Sequence, residues 1–225
     1  MTSATGAFAA RYIPAFGLAI GVCGLALQGW LTIPAAQANG MTLGGAIVFF
    51  FSFFTIQSNI LIVAAYVAAL SRGTSPVARF FRRPAVLTGL GVYMLLVVAV
   101  YAAILRHLWH PTGLLKVADT LLHYVAPAMF LAYWGFGVAK GATSLRTIRT
   151  WLLFPLLYVA YALARGSATG HYPYPFLEVP MLGATAVLRN VAMLVGVFVA
   201  LSLAMVGLDR WLGHRAAGRS ETVTR

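Results

Sequence analysis

Six apolar runs follow one another along the chain, at roughly residues 12–33, 41–71, 85–107, 115–139, 147–165 and 186–209. Each is close to or beyond the ~20 helical residues that cross a hydrocarbon core. Lipid offers no partner to a backbone N–H or C=O, so a run of this kind must satisfy its hydrogen bonds internally, as a helix. A composition of 61% hydrophobic against 9% charged residues fits this reading and excludes an ordinary soluble domain. The expected fold is an all-α integral membrane bundle of six transmembrane helices, with residues 1–213 as one domain and 214–225 as a basic cytoplasmic tail.

The connections are short and carry turn-forming residues, among them Pro34, Gly40, Gly73, Pro76, Pro84, Pro111, Gly113, Gly141, Pro173 and Pro175. No internal period is visible, and no pair of broken helices in matching halves, which weighs against an inverted-repeat transporter. A net charge of +12 would point to nucleic acid in a soluble protein. Here its distribution matters more. With the N-terminus inside, twelve basic residues fall on the cytoplasmic side, from Arg11 through Arg72, Arg79, Arg82, Arg83, Lys140, Arg146 and Arg149 to Arg210, Arg215, Arg219 and Arg225. Only Arg106, Lys116, Arg165 and Arg189 fall outside, which predicts an N-in, C-in protein of the cell membrane that binds no nucleic acid. Its partners are membrane lipids, whose anionic headgroups the tail and the 72–83 loop can meet.

Ala36-Gln37-Ala38 resembles a signal-peptidase site, but the preceding apolar stretch exceeds the ~7–15 residues of a signal h-region, so the first helix is expected to be retained. The lone Cys23 can form no intramolecular disulfide and reads as a small buried hydrophobe.

Asp119 and His123 lie four residues apart within the fourth run. Ionisable groups at this depth are costly and rarely kept without purpose. At that spacing Asp119 can hold one imidazole nitrogen and fix the tautomer. Polar residues of three runs share faces: Ser52, Thr55, Ser58 and Asn59 in the second, Lys116, Asp119 and His123 in the fourth, Tyr158, Tyr161 and Arg165 in the fifth. All three faces should turn inward, which predicts a polar pocket between these helices in which Thr55 and His123 can meet. Pro127 and Pro155 each remove a donor four residues after His123 and Trp151, and should bend their helices beside the pocket.

A threonine hydroxyl beside a histidine base can act as a nucleophile, with Asp119 orienting the ring and Ser58 or Asn59 donating to a developing oxyanion. Each residue also has a packing role open to it. Thr55 and Ser58 can bond to carbonyls one turn back, Asn59 can join helices, and Asp119 can pair with Lys116 or Arg106. His107, His110, Asp119, His123 and His171 match no standard zinc spacing, so no metal is expected. Neither a Gly-x-Ser-x-Gly elbow, nor HExxH, nor a phosphate-cradling glycine loop is present, and no cofactor is expected.

Three segments carry a resemblance: Phe53-Phe54-Thr55-Ile56-Gln57-Ser58-Asn59, the stretch from Asp119 to Pro127, and Tyr172-Pro173-Tyr174-Pro175-Phe176-Leu177. Over nearly its whole length, the chain resembles bacterial six-helix relatives of the androgen-induced-gene and androgen-dependent TFPI-regulating proteins. The members with an assigned activity are threonine-dependent hydrolases of fatty-acid esters of hydroxy fatty acids. The resemblance implies a nucleophilic Thr55, a general base at His123 and a lipid ester as substrate. The eukaryotic members carry a second histidine near the catalytic one, where this chain reads Leu121-Leu122-His123-Tyr124.

The segment from Gly166 to Thr185, rich in tyrosine and proline, reads either as a cap over the pocket or as an interfacial aromatic belt. Tyr158, Tyr161, Arg165, Tyr172 and Tyr174 are the expected substrate contacts, with Arg165 either receiving an acyl carboxylate or pairing with Glu178. The competing function is a non-catalytic membrane protein that binds or transports a lipid or small solute.

Overall fold

A computed structural model describes residues 4–223, with side chains described for residues 11–216. Every regular element among them is helical: α1 (Ala4–Ala38), α2 (Leu43–Phe51), α3 (Phe54–Leu70), α4 (Pro76–Phe81), α5 (Pro84–Leu108), α6 (Gly113–Gly137), α7 (Leu145–Thr169), a 3-10 turn (Pro175–Leu177), α8 (Val179–Leu182) and α9 (Ala184–Val223). Five of them, α1, α5, α6, α7 and α9, contain stretches long and apolar enough to cross a membrane. A sixth span exists if α2 and α3 are taken as one, bent by 73°.

That bend corrects the expectation of one continuous helix over 41–71. Ser52 closes a tight turn through its N–H on the Phe49 carbonyl at 3.0 Å, and Phe53 is extended at ψ 132°. The backbone groups released there find side chains: the Tyr158 hydroxyl donates to the Ser52 carbonyl at 3.0 Å, and the Gln57 amide donates to the Phe51 carbonyl at 3.0 Å. Irregular backbone at membrane depth is tolerated where protein supplies such partners.

A continuous core of large side chains, including Tyr66, Tyr93, Met94, Phe130, Trp134, Trp151 and Phe198, joins α3, α5, α6, α7 and α9. Across α3 and α6 lies α1, whose Gly17 admits the Tyr66 ring; a Cβ there would come within 2.3 Å of it. At one end of the bundle the Arg82 guanidinium gathers the Ala68, Gly73 and Ser71 carbonyls, which binds α4 to the end of α3. Nearby, fully buried Asp209 of α9 accepts from the Thr143 amide and hydroxyl at 3.0 and 2.7 Å. In the same loop, burial pushes the Lys140 ammonium below the ordinary lysine range, opposed by the Asp209 charge.

One local expectation changes. Cys23 is exposed on α1 rather than buried. The segment read as a tail from residue 214 continues α9 as helix to Val223, while Arg225 and the Arg219 side chain lie outside the described residues.

Pro155 and Pro127, the two prolines expected to bend their helices beside the pocket, have different outcomes. In α7, Pro155 leaves the Trp151 carbonyl free, and the Tyr93 hydroxyl of α5 donates to it at 2.8 Å. In α6, Pro127 follows a π-helical turn at Leu121–Val125, where the Ala126 N–H reaches back to the Leu121 carbonyl. A second π turn, Tyr101–Leu105, interrupts α5. Such turns hold one residue more than an α-turn and change where side chains point.

Candidate active site

Thr55 occupies the first turn of α3, immediately after the break, where it is buried at 7% exposure. No helical turn precedes it in line, so the back-bonded packing role considered for it does not arise. Its Oγ1 instead lies 3.4 Å from His123 Nε2 and 3.5 Å from the Tyr174 hydroxyl. His123 sits in the π turn of α6, with its Nδ1 3.0 Å from Asp119 Oδ1 and 3.1 Å from the Asp119 carbonyl. Both neighbours of Nδ1 are acceptors, so the ring proton belongs on Nδ1. The unprotonated Nε2 then faces the threonine hydroxyl.

Asp119 is buried, and its other oxygen accepts a hydrogen bond from the Tyr101 hydroxyl. The Tyr101 ring stacks on the His123 imidazole, with centroids 4.1 Å apart and planes 23° apart. Tyr101 therefore completes the chain Thr55, His123, Asp119, Tyr101, and the sequence reading missed it. Asp119 was expected to take Lys116 or Arg106 if it paired structurally; both are exposed, and the tyrosine holds that place. The available signal was that an acidic group within an apolar run needs a donor from a neighbouring helix. The π turn that aims Tyr101 is not visible in the sequence.

Asn59, proposed as an oxyanion donor, is fully buried and spends its amide on the Thr55 carbonyl at 2.8 Å and the Leu122 carbonyl at 3.3 Å. It ties the first turn of α3 to the π turn of α6 and so fixes the approach of Thr55 to His123. Ser58, also fully buried, has an Oγ that finds no partner among the described residues. Neither residue supplies a free donor beside the threonine.

The expected polar pocket between the second, fourth and fifth apolar runs is corrected to an apolar cavity bounded mainly by α5, α7, α9 and the 3-10 turn. Its volume is about 70 Å³, and it is lined by residues such as Leu96, Val97, Pro155, Val195 and Phe198. Three hydroxyl-bearing residues reach it: Thr55, Tyr158 and Tyr174. The polar faces have instead paired with one another. The Tyr161 hydroxyl meets Ser52 Oγ at 2.9 Å, away from the cavity.

Of the five expected substrate contacts, Tyr158 and Tyr174 line the cavity and the other three do not. Arg165 donates to the His171 carbonyl at 2.7 Å and lies over the Phe49 ring, and among the described residues it is not paired with Glu178. Tyr172 packs on Gly166, where a Cβ would fall 2.2 Å from the ring. That contact folds the segment after α7 back over the bundle and lowers Tyr174 onto Thr55. His107, His110 and His171 are exposed, and none joins His123.

Among the described residues the assembly is thus an all-helical bundle of apolar helices, with a Thr–His–Asp chain that is buried at Thr55 and Asp119 and meets a hydrocarbon-lined cavity at Thr55. Comparison with protein-family models, with curated proteins and with solved structures finds no match to the chain.

Proposed function

We propose that the protein is an intramembrane hydrolase that cleaves a lipid ester with Thr55 as nucleophile and His123 as general base. The observation that carries this reading is the Nε2 of His123 facing Thr55 Oγ1 at 3.4 Å, with Nδ1 held between two acceptors of Asp119. Catalytic hydrogen bonds are often this long before substrate arrives.

Thr55 Oγ1 attacks the ester carbonyl carbon as its proton passes to His123 Nε2, and the carbonyl π electrons move onto oxygen. Collapse of that intermediate expels the alkoxide, which takes the proton back from Nε2 and leaves as alcohol. Water then attacks the acyl-threonine as His123 takes its proton; collapse breaks the C–Oγ1 bond, Nε2 returns the proton to Oγ1, and the free acid is released. Asp119 holds the imidazolium that forms in each half.

The apolar lining of the cavity supports an uncharged hydrocarbon chain on the acyl side. The resemblance of the Phe53–Asn59 and Asp119–Pro127 segments to threonine-dependent hydrolases of fatty-acid esters of hydroxy fatty acids supports the same substrate class. The twelve-to-four distribution of basic residues supports placement in the cell membrane with both termini cytoplasmic.

A fluorophosphonate probe applied to the purified protein tests the reading. Wild type is expected to label covalently, while Thr55→Ala and His123→Ala do not. Equal labelling of all three would remove the threonine from the chemistry. The same cavity favours a second reading, a lipid-binding protein without turnover, and that reading predicts lipid binding with no labelling at all.

A further inference from the structure

The hydrolysis just described needs a donor for the oxyanion, and the two residues expected to supply one are otherwise occupied or out of reach. We infer that the Tyr174 hydroxyl, together with the Thr55 backbone N–H, forms the oxyanion hole. This rests on the hydrolase reading and adds to it the group that stabilises the transition state.

Tyr174 OH lies 3.5 Å from the nucleophilic Oγ1 and accepts from the Thr55 N–H at 3.4 Å. An ester carbonyl under attack by Oγ1 brings its oxygen into the space those two donors already share. Tyr174 then turns its O–H onto that oxygen without giving up the proton. Burial pushes its phenol above the ordinary tyrosine range, against hydrogen bonds from Thr55 that lower it, so it stays a neutral donor.

The ring is held on three sides, stacked on Phe176 at 5.0 Å and edge-on to Phe53 at 5.7 Å and Tyr158 at 6.5 Å. A donor fixed in this way is worth more than a mobile one, because it need not reorganise as charge develops. The competing donors fail on geometry: Asn59 Nδ2 is held by two carbonyls, and Ser58 Oγ reaches none of Thr55, His123 or Tyr174. Thr55 also lies in the first turn of α3, so the positive end of that helix favours charge on the same oxygen.

The test is Tyr174→Phe in the full-length purified protein, which keeps every ring contact and removes only the hydroxyl. With a p-nitrophenyl alkyl ester, kcat is expected to fall about 10²–10³-fold, with KM changed by less than about threefold. Affinity for an alkyl trifluoromethyl ketone, which forms a tetrahedral adduct, should fall with kcat/KM, whereas affinity for the free fatty acid should hold. A purely structural role would weaken both ligands together, and that result overturns the assignment, as does a kcat within about threefold of wild type. Thr55→Ala separates the two levels. If it abolishes turnover while Tyr174→Phe does not, only the oxyanion assignment falls; if it turns over like wild type, the hydrolase reading falls with it.

Discussion

His123 is fixed by what surrounds Asp119 as much as by Asp119 itself. Tyr101 holds the second carboxylate oxygen and covers the face of the imidazole, so neither ring nor carboxylate can rotate without breaking a contact. Tyr101→Phe keeps the stack and removes the hydrogen bond, leaving a buried carboxylate oxygen unpaired. The expected result is a stability loss of about 1–3 kcal/mol in denaturant titration of the detergent-solubilised protein. With it comes a roughly tenfold drop in kcat at nearly constant KM, because only the orientation of the base is affected. Of this site, Thr55, Asp119 and His123 were legible in the sequence, since polar and ionisable groups in apolar runs stand out. Tyr101 was not, because a tyrosine in a membrane helix carries no such contrast. Ser58 and Asn59 were legible as polar, but their roles depend on which carbonyls lie within reach.

At the level of elements, helix irregularities set the geometry. The break between α2 and α3 turns a mid-span threonine into a first-turn threonine, and the Asn59 amide locks that turn to α6. Asn59→Leu should therefore cost stability on the order of 1–3 kcal/mol and reduce probe labelling at Thr55 under conditions where the fold persists. The Pro155 position offers a sharper check. In wild type, Tyr93→Phe strands the Trp151 carbonyl, whereas in Pro155→Ala the restored N–H can take it. A double-mutant cycle followed by thermal unfolding should show the Tyr93→Phe penalty shrinking by about 1 kcal/mol in the Pro155→Ala background. Apolar length predicted the helices, and Pro155 predicted the free Trp151 carbonyl. The bend at Ser52 escaped notice because Phe-Phe-Phe-Ser-Phe-Phe contains neither glycine nor proline; tertiary bonds from Tyr158 and Gln57 sustain it.

Taken whole, the bundle leaves an apolar cavity that reaches the Thr55 side chain. Along α9 the lining runs from Val191 to Phe198, seven residue steps, or about 10 Å of helix. Val195→Phe, which fills its middle, should shift preference toward shorter p-nitrophenyl esters while leaving fluorophosphonate labelling intact, measured as kcat/KM across a chain-length series. An unchanged profile would mean that the acyl chain lies elsewhere. The two π turns, one in α5 and one in α6, bring two rings together. A π turn holds one residue more than an α-turn, inside an otherwise regular helix. Tyr101 and His123 occupy these two turns and stack on one another. Deleting one residue from each turn should restore plain helices, keep the bundle, and swing the tyrosine and histidine apart. That variant, two residues shorter, is expected to stay folded by circular dichroism and to lose fluorophosphonate labelling at Thr55.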